Sequence, residues 1–129
     1  MDINVLHECI KLAFDGKITF QESMKRLAEQ GVERYYTDLV RFEKTNYNGH
    51  GESYIDELPL TDTPEIADTF STQDIQAALK SIQGGEIAYP EFLRRIMSAG
   101  VANYMVFFKS HKVVYTGRHG ETHVETFQA

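Results

Sequence analysis

The chain has a single cysteine, Cys9, so no internal disulfide braces it, and a reducing compartment is the expectation. Apolar residues never run on for the roughly 18 positions that a membrane-spanning helix needs. Basic residues are outnumbered, 13 Lys and Arg against 19 Asp and Glu, for a net charge of −6. An acidic whole argues against broad binding of phosphate backbones. The start, Met1-Asp2-Ile3-Asn4, lacks the basic and then apolar layout of a signal peptide. A Gly-x-x-x-x-Gly-Lys-Ser/Thr phosphate loop and a Gly-x-Ser-x-Gly elbow are both missing. These absences lead to the expectation of a soluble, cytoplasmic protein with no membrane contact and no recognisable catalytic motif. Cys9 itself falls among apolar residues of a predicted helix and reads as a small core residue rather than a nucleophile.

What the chain does contain is a repeat. Gly16-Lys17-Ile18-Thr19-Phe20-Gln21-Glu22 through Leu27, then Gly31-Val32 and Tyr35, returns 69 residues later as Gly85-Glu86-Ile87-Ala88-Tyr89-Pro90-Glu91 through Ile96, then Gly100-Val101 and Tyr104. Equal spacing over that length implies two copies of one structural unit. Charge divides unevenly between them: residues 1–58 carry −4, residues 59–70 carry −3, and residues 71–129 carry +1.

Within each copy the hydrophobic period changes from helical to extended. Ile3, Leu6, Ile10, Ala13 and Phe14 recur at helical spacing behind Asp2, a fair N-cap. Thr19 and Glu22 form a capping box for a second helix running to about Gln30, with Glu22 and Arg26 four apart. Gly31 is a natural left-handed stop. From Val32 the period falls towards two, predicting a strand through Phe42, a short strand at 45–47, a glycine turn at 48–51 and a third strand at 52–55. Pro59 and Pro64 mark residues 59–70 as a linker. The second copy repeats the order: a helix capped near Ser71, a helix opened by Pro90, and strands at 104–109, 112–116 and 121–127.

The expected fold is therefore α+β, an internally duplicated helix–helix–three-strand unit forming one domain over residues 1–129. The two halves are expected to pack about an approximate two-fold axis, as one antiparallel sheet covered by four helices.

The segments Phe14-Asp15-Gly16-Lys17-Ile18-Thr19-Phe20, Gly31-Val32-Glu33-Arg34-Tyr35-Tyr36 and Asp38-Leu39 resemble the YdfO-like family, small bacterial proteins often associated with prophages and sometimes labelled phage envelope proteins. The resemblance extends over the whole chain. It implies an α+β fold and a phage or mobile-element origin, and it brings no catalytic residues to carry over.

Three constellations could carry chemistry. Asp15 to Glu22 matches the second half of a calcium-binding EF-hand loop, but Lys11 and Ala13 stand where oxygen ligands are required. Helix stop, packing and capping explain the same residues, so no metal or other cofactor is expected. The second constellation is a pair of His-Gly-Glu turns, His50-Gly51-Glu52 and His119-Gly120-Glu121, with His123 beyond the latter. Imidazole beside carboxylate suits a zinc site or an acid–base pair, provided the two turns converge. The bland alternative is a solvated turn and an ordinary surface strand. The third is a nucleic-acid face, in which Tyr104, Phe107, Phe108 and Tyr115 interleave with Lys109, His111, Lys112 and Arg118. Against it, strand aromatics are mostly core. The leading functional expectation is a small non-catalytic, protein-binding or regulatory module of prophage type, acting on a protein partner or on itself. An enzyme or metal protein using the His-Gly-Glu turns is one alternative, and nucleic-acid binding is the other.

Overall fold

A computed structural model describes residues 1–128. Each half supplies two helices and three strands. The first half contributes α1 (Ile3–Phe14), α2 (Phe20–Glu29), β1 (Val32–Asp38), β2 (Glu43–Asn48) and β3 (Ser53–Glu57). The second contributes α3 (Thr72–Gln83), α4 (Tyr89–Ser98), β4 (Val101–Phe107), β5 (Lys112–Gly117) and β6 (Thr122–Thr126). All six strands join one antiparallel sheet in the order β3-β2-β1-β4-β5-β6. The two first strands meet at its centre. The α+β class and the duplicated unit expected from the sequence are both present.

Local chemistry explains the element ends. Asp2 Oδ1 accepts the Asn4 amide at 2.9 Å and opens α1. Thr19 Oγ1 accepts the Glu22 amide at 3.1 Å, half of the capping box, while the Glu22 carboxylate bonds the Thr19 hydroxyl at 3.2 Å instead of reaching the backbone. Arg26 pairs with Glu8 of α1 at 3.9 Å rather than with Glu22. Ser71 caps α3 through the Asp74 amide. The equivalent of Thr19 is Ala88, which gives α4 no side-chain cap, and Pro90 sits in its first turn.

The first strand is shorter than the alternation suggests. It stops at Asp38, whose Oδ1 accepts the Val40 and Arg41 amides at 2.9 and 3.1 Å and turns the chain. Phe42 and its equivalent His111 both adopt a left-handed backbone, with φ of 55° and 51°, to close matching turns. The linker lies against the second half as a strap. The Ala67 and Ser71 amides donate to the Met97 and Ala99 carbonyls at 3.1 and 2.8 Å.

All four helices lie on one face of the sheet. Leu6, Leu27, Ile75, Leu93 and Ile96 meet Tyr35, Val101, Tyr104 and Val106 in the core between the layers. Among the described residues, the other face of the sheet carries no helix.

Candidate functional site

The His-Gly-Glu turns sit at diagonally opposite corners of the sheet, because the pseudo-two-fold axis that relates them passes through its centre. Each turn uses its own polar groups. Asn48 Nδ2 donates to Glu52 at 2.7 Å, and Asn48 Oδ1 accepts the His50 and Glu52 amides at 2.9 Å each. In the second turn Glu121 accepts the His119 amide at 2.9 Å. His119 Nε2 then reaches Asp68 of the strap at 2.6 Å, with Arg118 3.8 Å from the same carboxylate. His123 lies on the helix side, bonded to Glu125 at 2.8 Å and stacked on Tyr115. Among the described residues no three His, Cys, Asp or Glu side chains are grouped to hold a metal.

The basic aromatic segment is also divided. Tyr104 and Tyr115 lie buried under the helices. Phe107 is on the uncovered face, with Lys112 Nζ 5.9 Å from its ring centroid. Lys109 stands in the turn beyond that end of β4, whereas Arg118 follows the opposite end of β5. Lys109 and Lys112 are thus neighbours, and Arg118 belongs with the strap.

The uncovered face is a more coherent surface than either constellation. Cross-strand register aligns its outward side chains in three rows. The central row runs Ile55, Thr45, Tyr36, Met105, Val114, Val124, one residue from every strand. At its two ends Ile55 and Val124 are 54% and 49% exposed. One flanking row begins Glu57, Glu43, Asp38 and continues through Asn103, Thr116 and Thr122. The other runs Ser53, Tyr47, Arg34, Phe107, Lys112, Thr126. In that row the Arg34 guanidinium stacks 4.5 Å from the Tyr47 ring centroid. Apolar centre, acidic corner and cationic aromatic margin thus share one open sheet face.

A family model described as "Protein of unknown function (DUF1398)" matches residues 34–125, from within β1 to within β6. The chain belongs to the DUF1398 family. The matched part takes in most of the sheet and the whole α3–α4 pair, and leaves α1 and α2 outside. Among curated proteins, the chain is similar to the uncharacterized proteins Mb2035 of Mycobacterium bovis and Rv2012 of Mycobacterium tuberculosis. Each is 29% identical over 72 residues, 56% of this chain and 44% of the relative. The chain therefore matches less than half the length of these relatives.

Sequence reasoning missed the three-row face and a polar group on the opposite side of β2, formed around Lys44 and Asn46. Two signals bear on them. The outward row is the every-second-residue set of each strand. The polar group stands out when the two repeats are laid over one another.

Proposed function

We propose that the chain is a small non-catalytic binding module whose working surface is the bare sheet face, and that this face receives a second copy of the chain. The observation carrying this reading is the central row from Ile55 to Val124, apolar or aromatic except at Thr45, which crosses all six strands with no helix over it among the described residues. Contiguous apolar residues rimmed by polar ones mark association surfaces. Charge supports a self-pairing. Two copies laid face to face about an axis along the central row set each apolar residue near its own counterpart. The same operation places the row of Arg34 over the row of Asp38, twice.

The size of the face fits a reversible contact. Six strands at about 4.8 Å spacing, with five residues of each strand taking part, give a footprint on the order of 500 Å² per copy. Stable interfaces bury about 800 Å² per partner, so a weak dimer in the micromolar range is the expected state.

The regulatory, prophage-type part of this reading rests on the YdfO-like resemblance of Gly31-Val32-Glu33-Arg34-Tyr35-Tyr36, and the cytoplasmic setting on the lone cysteine. That no helix is long and apolar enough to cross a membrane accords with it. A second reading has one observation in its favour: Tyr47, Arg34, Phe107 and Lys112 form an aromatic–cation row of the kind that stacks bases. The acidic corner of Asp38, Glu43 and Glu57 on the same face opposes it.

Sedimentation across a concentration series tests the proposal. The chain should pass from monomer to dimer, and Met105→Glu, at the middle of the row, should leave it monomeric with its fold intact. A wild-type chain that stays monomeric throughout, or a Met105→Glu chain that still dimerises, sinks the proposed face. Salt-sensitive retention on polynucleotide, lost in Arg34→Glu, would move the assignment to nucleic acid.

A further inference from the structure

The two halves follow one plan, so equivalent positions serve as controls for one another. On the helix side of the second half, Ala78, Phe92, Val106, Val113 and Tyr115 form part of an apolar and aromatic core. Their equivalents in the first half, 69 residues earlier, are Cys9, Ser23, Thr37, Lys44 and Asn46. The second half demonstrates that the unit folds around apolar side chains at these places. The first half replaces two aromatic rings, Phe92 and Tyr115, with the small polar side chains of Ser23 and Asn46.

Ser23 bonds the Cys9 thiol, but the deeper polar side chains do not satisfy one another. Asn46 is fully buried, and neither its amide oxygen nor its nitrogen has a hydrogen-bond partner. Thr37 Oγ1, also buried, faces the Tyr104 hydroxyl closely enough to ease its ionisation but lacks hydrogen-bond geometry to it. Lys44, 6% exposed, holds its ammonium 4.0 Å from the Tyr35 ring centroid. Among the described residues it has no ion pair. Asp56 is its cross-strand partner and is equally buried. Asp56 Oδ1 accepts from His7 Nδ1 at 3.2 Å, and Oδ2 has no partner. His7 is largely exposed on α1, so this bond connects the group to the surface beside the edge strand β3.

Buried polar groups without partners are uncommon in folded proteins, and four such atoms on the helix side of the neighbouring strands β1, β2 and β3 need a common explanation. Together they specify a complementary molecule. Lys44 and Asn46 Nδ2 are donors that suit a carboxylate. Asp56 Oδ2 and Asn46 Oδ1 are acceptors that suit a hydroxyl or amine, and Thr37 serves either. Two rings are lost, and Lys44 and Cys9 in place of Val113 and Ala78 take back part of that volume, so such a molecule is limited to a few heavy atoms.

We propose that the helix–sheet interface of the first half is a binding chamber for a small hydroxy- or amino-carboxylic acid, held between Lys44, Asn46, Thr37 and Asp56. Lys44 is the counter-ion of the carboxylate, and Asp56 takes the second functional group. Burial pushes the Lys44 pKa down to about 8, so the side chain is still charged at neutral pH and gains from an anion beside it. The chamber lies on the opposite side of the sheet from the association face, so each proposal stands or falls alone.

The test is a nuclear magnetic resonance titration of the full chain with glycolate and glycine, using acetate and ethylene glycol as probes that lack one required group. Glycolate or glycine should shift the Asn46 side-chain amide and the Lys44 side-chain signals saturably. Acetate should bind about tenfold more weakly, and ethylene glycol should have no effect. Lys44→Val installs the residue that the second half uses at the same place. It should melt at a higher temperature than the wild type and lose the response by about tenfold or more. Thr37→Val, which keeps the cation, should melt higher and bind more weakly. Signals unmoved by glycolate and glycine would mean a chamber holding water only and would overturn the proposal. So would equal shifts with ethylene glycol, or an undiminished response in a folded Lys44→Val chain.

Discussion

Tyr36 and Met105 are equivalent residues of the two repeats, and they are also cross-strand partners in the β1–β4 ladder. The pseudo-two-fold axis therefore passes between them, and the ladder on either side mirrors itself: Arg34 faces Phe107, and Asp38 faces Asn103. A duplicated unit that would leave its sheet half-built alone finishes it by pairing first strand with first strand.

That pairing separates adjacent residues by face. Met105 lies on the bare side, and Val106 next to it is fully buried under the helices. Met105→Ala should cost less than about 1 kcal/mol, since it removes mainly a cross-strand contact with Tyr36. Val106→Ala should cost about 2 kcal/mol through lost burial and the space left behind. Urea unfolding of Met105→Ala, Tyr36→Ala and the double variant should give a coupling of about 0.2–1 kcal/mol. A Met105→Ala loss as large as that of Val106→Ala would mean that the face is covered in the folded chain.

Gly31 and Gly100 make a second controlled pair. Both end a helix in the left-handed region, with φ of 85° and 96°. A Cβ at Gly31 would meet nothing within 4 Å, whereas at Gly100 it would lie 2.5 Å from the Thr69 carbonyl oxygen of the strap. Gly31→Ala should therefore cost about 1–2 kcal/mol from the backbone alone. Gly100→Ala should exceed it by roughly a further 1–3 kcal/mol, as the strap is forced off. Thermal denaturation of the two variants reads the difference, and equal losses would show that the strap yields freely.

The repeat, the helix caps and the order of elements were legible because they depend on local rules: glycine at positive φ, a hydroxyl before a helix, a change of hydrophobic period. The end of the first strand was not, since Val40 and Phe42 continue the alternation while the Asp38 side chain turns the backbone. Alternation also leaves open which set of residues faces inward. In β5, Val113 and Tyr115 declare the buried side. In β2, Lys44, Asn46 and Asn48 are as polar as Glu43, Thr45 and Tyr47, so only the partners of the strand decide that Lys44 is the buried one. The histidine turns do not converge, for a related reason. Sequence brings His119, Glu121 and His123 together locally, but the position of the symmetry axis sends the matching His50 and Glu52 to the far corner.

Lys44 makes stability depend on pH in a defined window. Burial lowers its pKa from 10.5 to about 8, while Cys9 and Asp56 pull the other way. Between those values the unfolded chain holds a proton that the folded chain has released, so the Lys44 contribution to stability rises with pH from about 8 to about 10.5, by about 3 kcal/mol, opposed above about pH 9 by Cys9, whose thiol pKa burial raises. Burial raises the pKa of Tyr35, Tyr89, Tyr104 and Tyr115, so above about pH 10 the unfolded chain loses protons first and stability falls. Lys44→Val should have the higher urea midpoint at neutral pH, and the gap to the wild type should narrow through the lysine window. Curves that stay parallel from about pH 7 to about 10 would show that Lys44 is not buried as a cation.

The strap offers a last test, at an exposed place where the readout is a titration. The Asp68 carboxyl is held below the usual range, first by its hydrogen bond from His119, then by the charge of that imidazole and of Arg118. Because the folded value is depressed, the tie is at full strength above the ordinary carboxylate pKa and weakens as pH falls through the folded value. His119→Ala should return the Asp68 pKa most of the way to normal, and Arg118→Ala should move it less. His50→Ala, the equivalent change in the first half, should leave it unchanged, since no strap passes that corner. Carboxyl carbon shifts of Asp68 followed through acid pH measure all three. If Asp68 titrates identically in the wild type and His119→Ala, the second His-Gly-Glu turn does not hold the linker, and its imidazole is free for other chemistry.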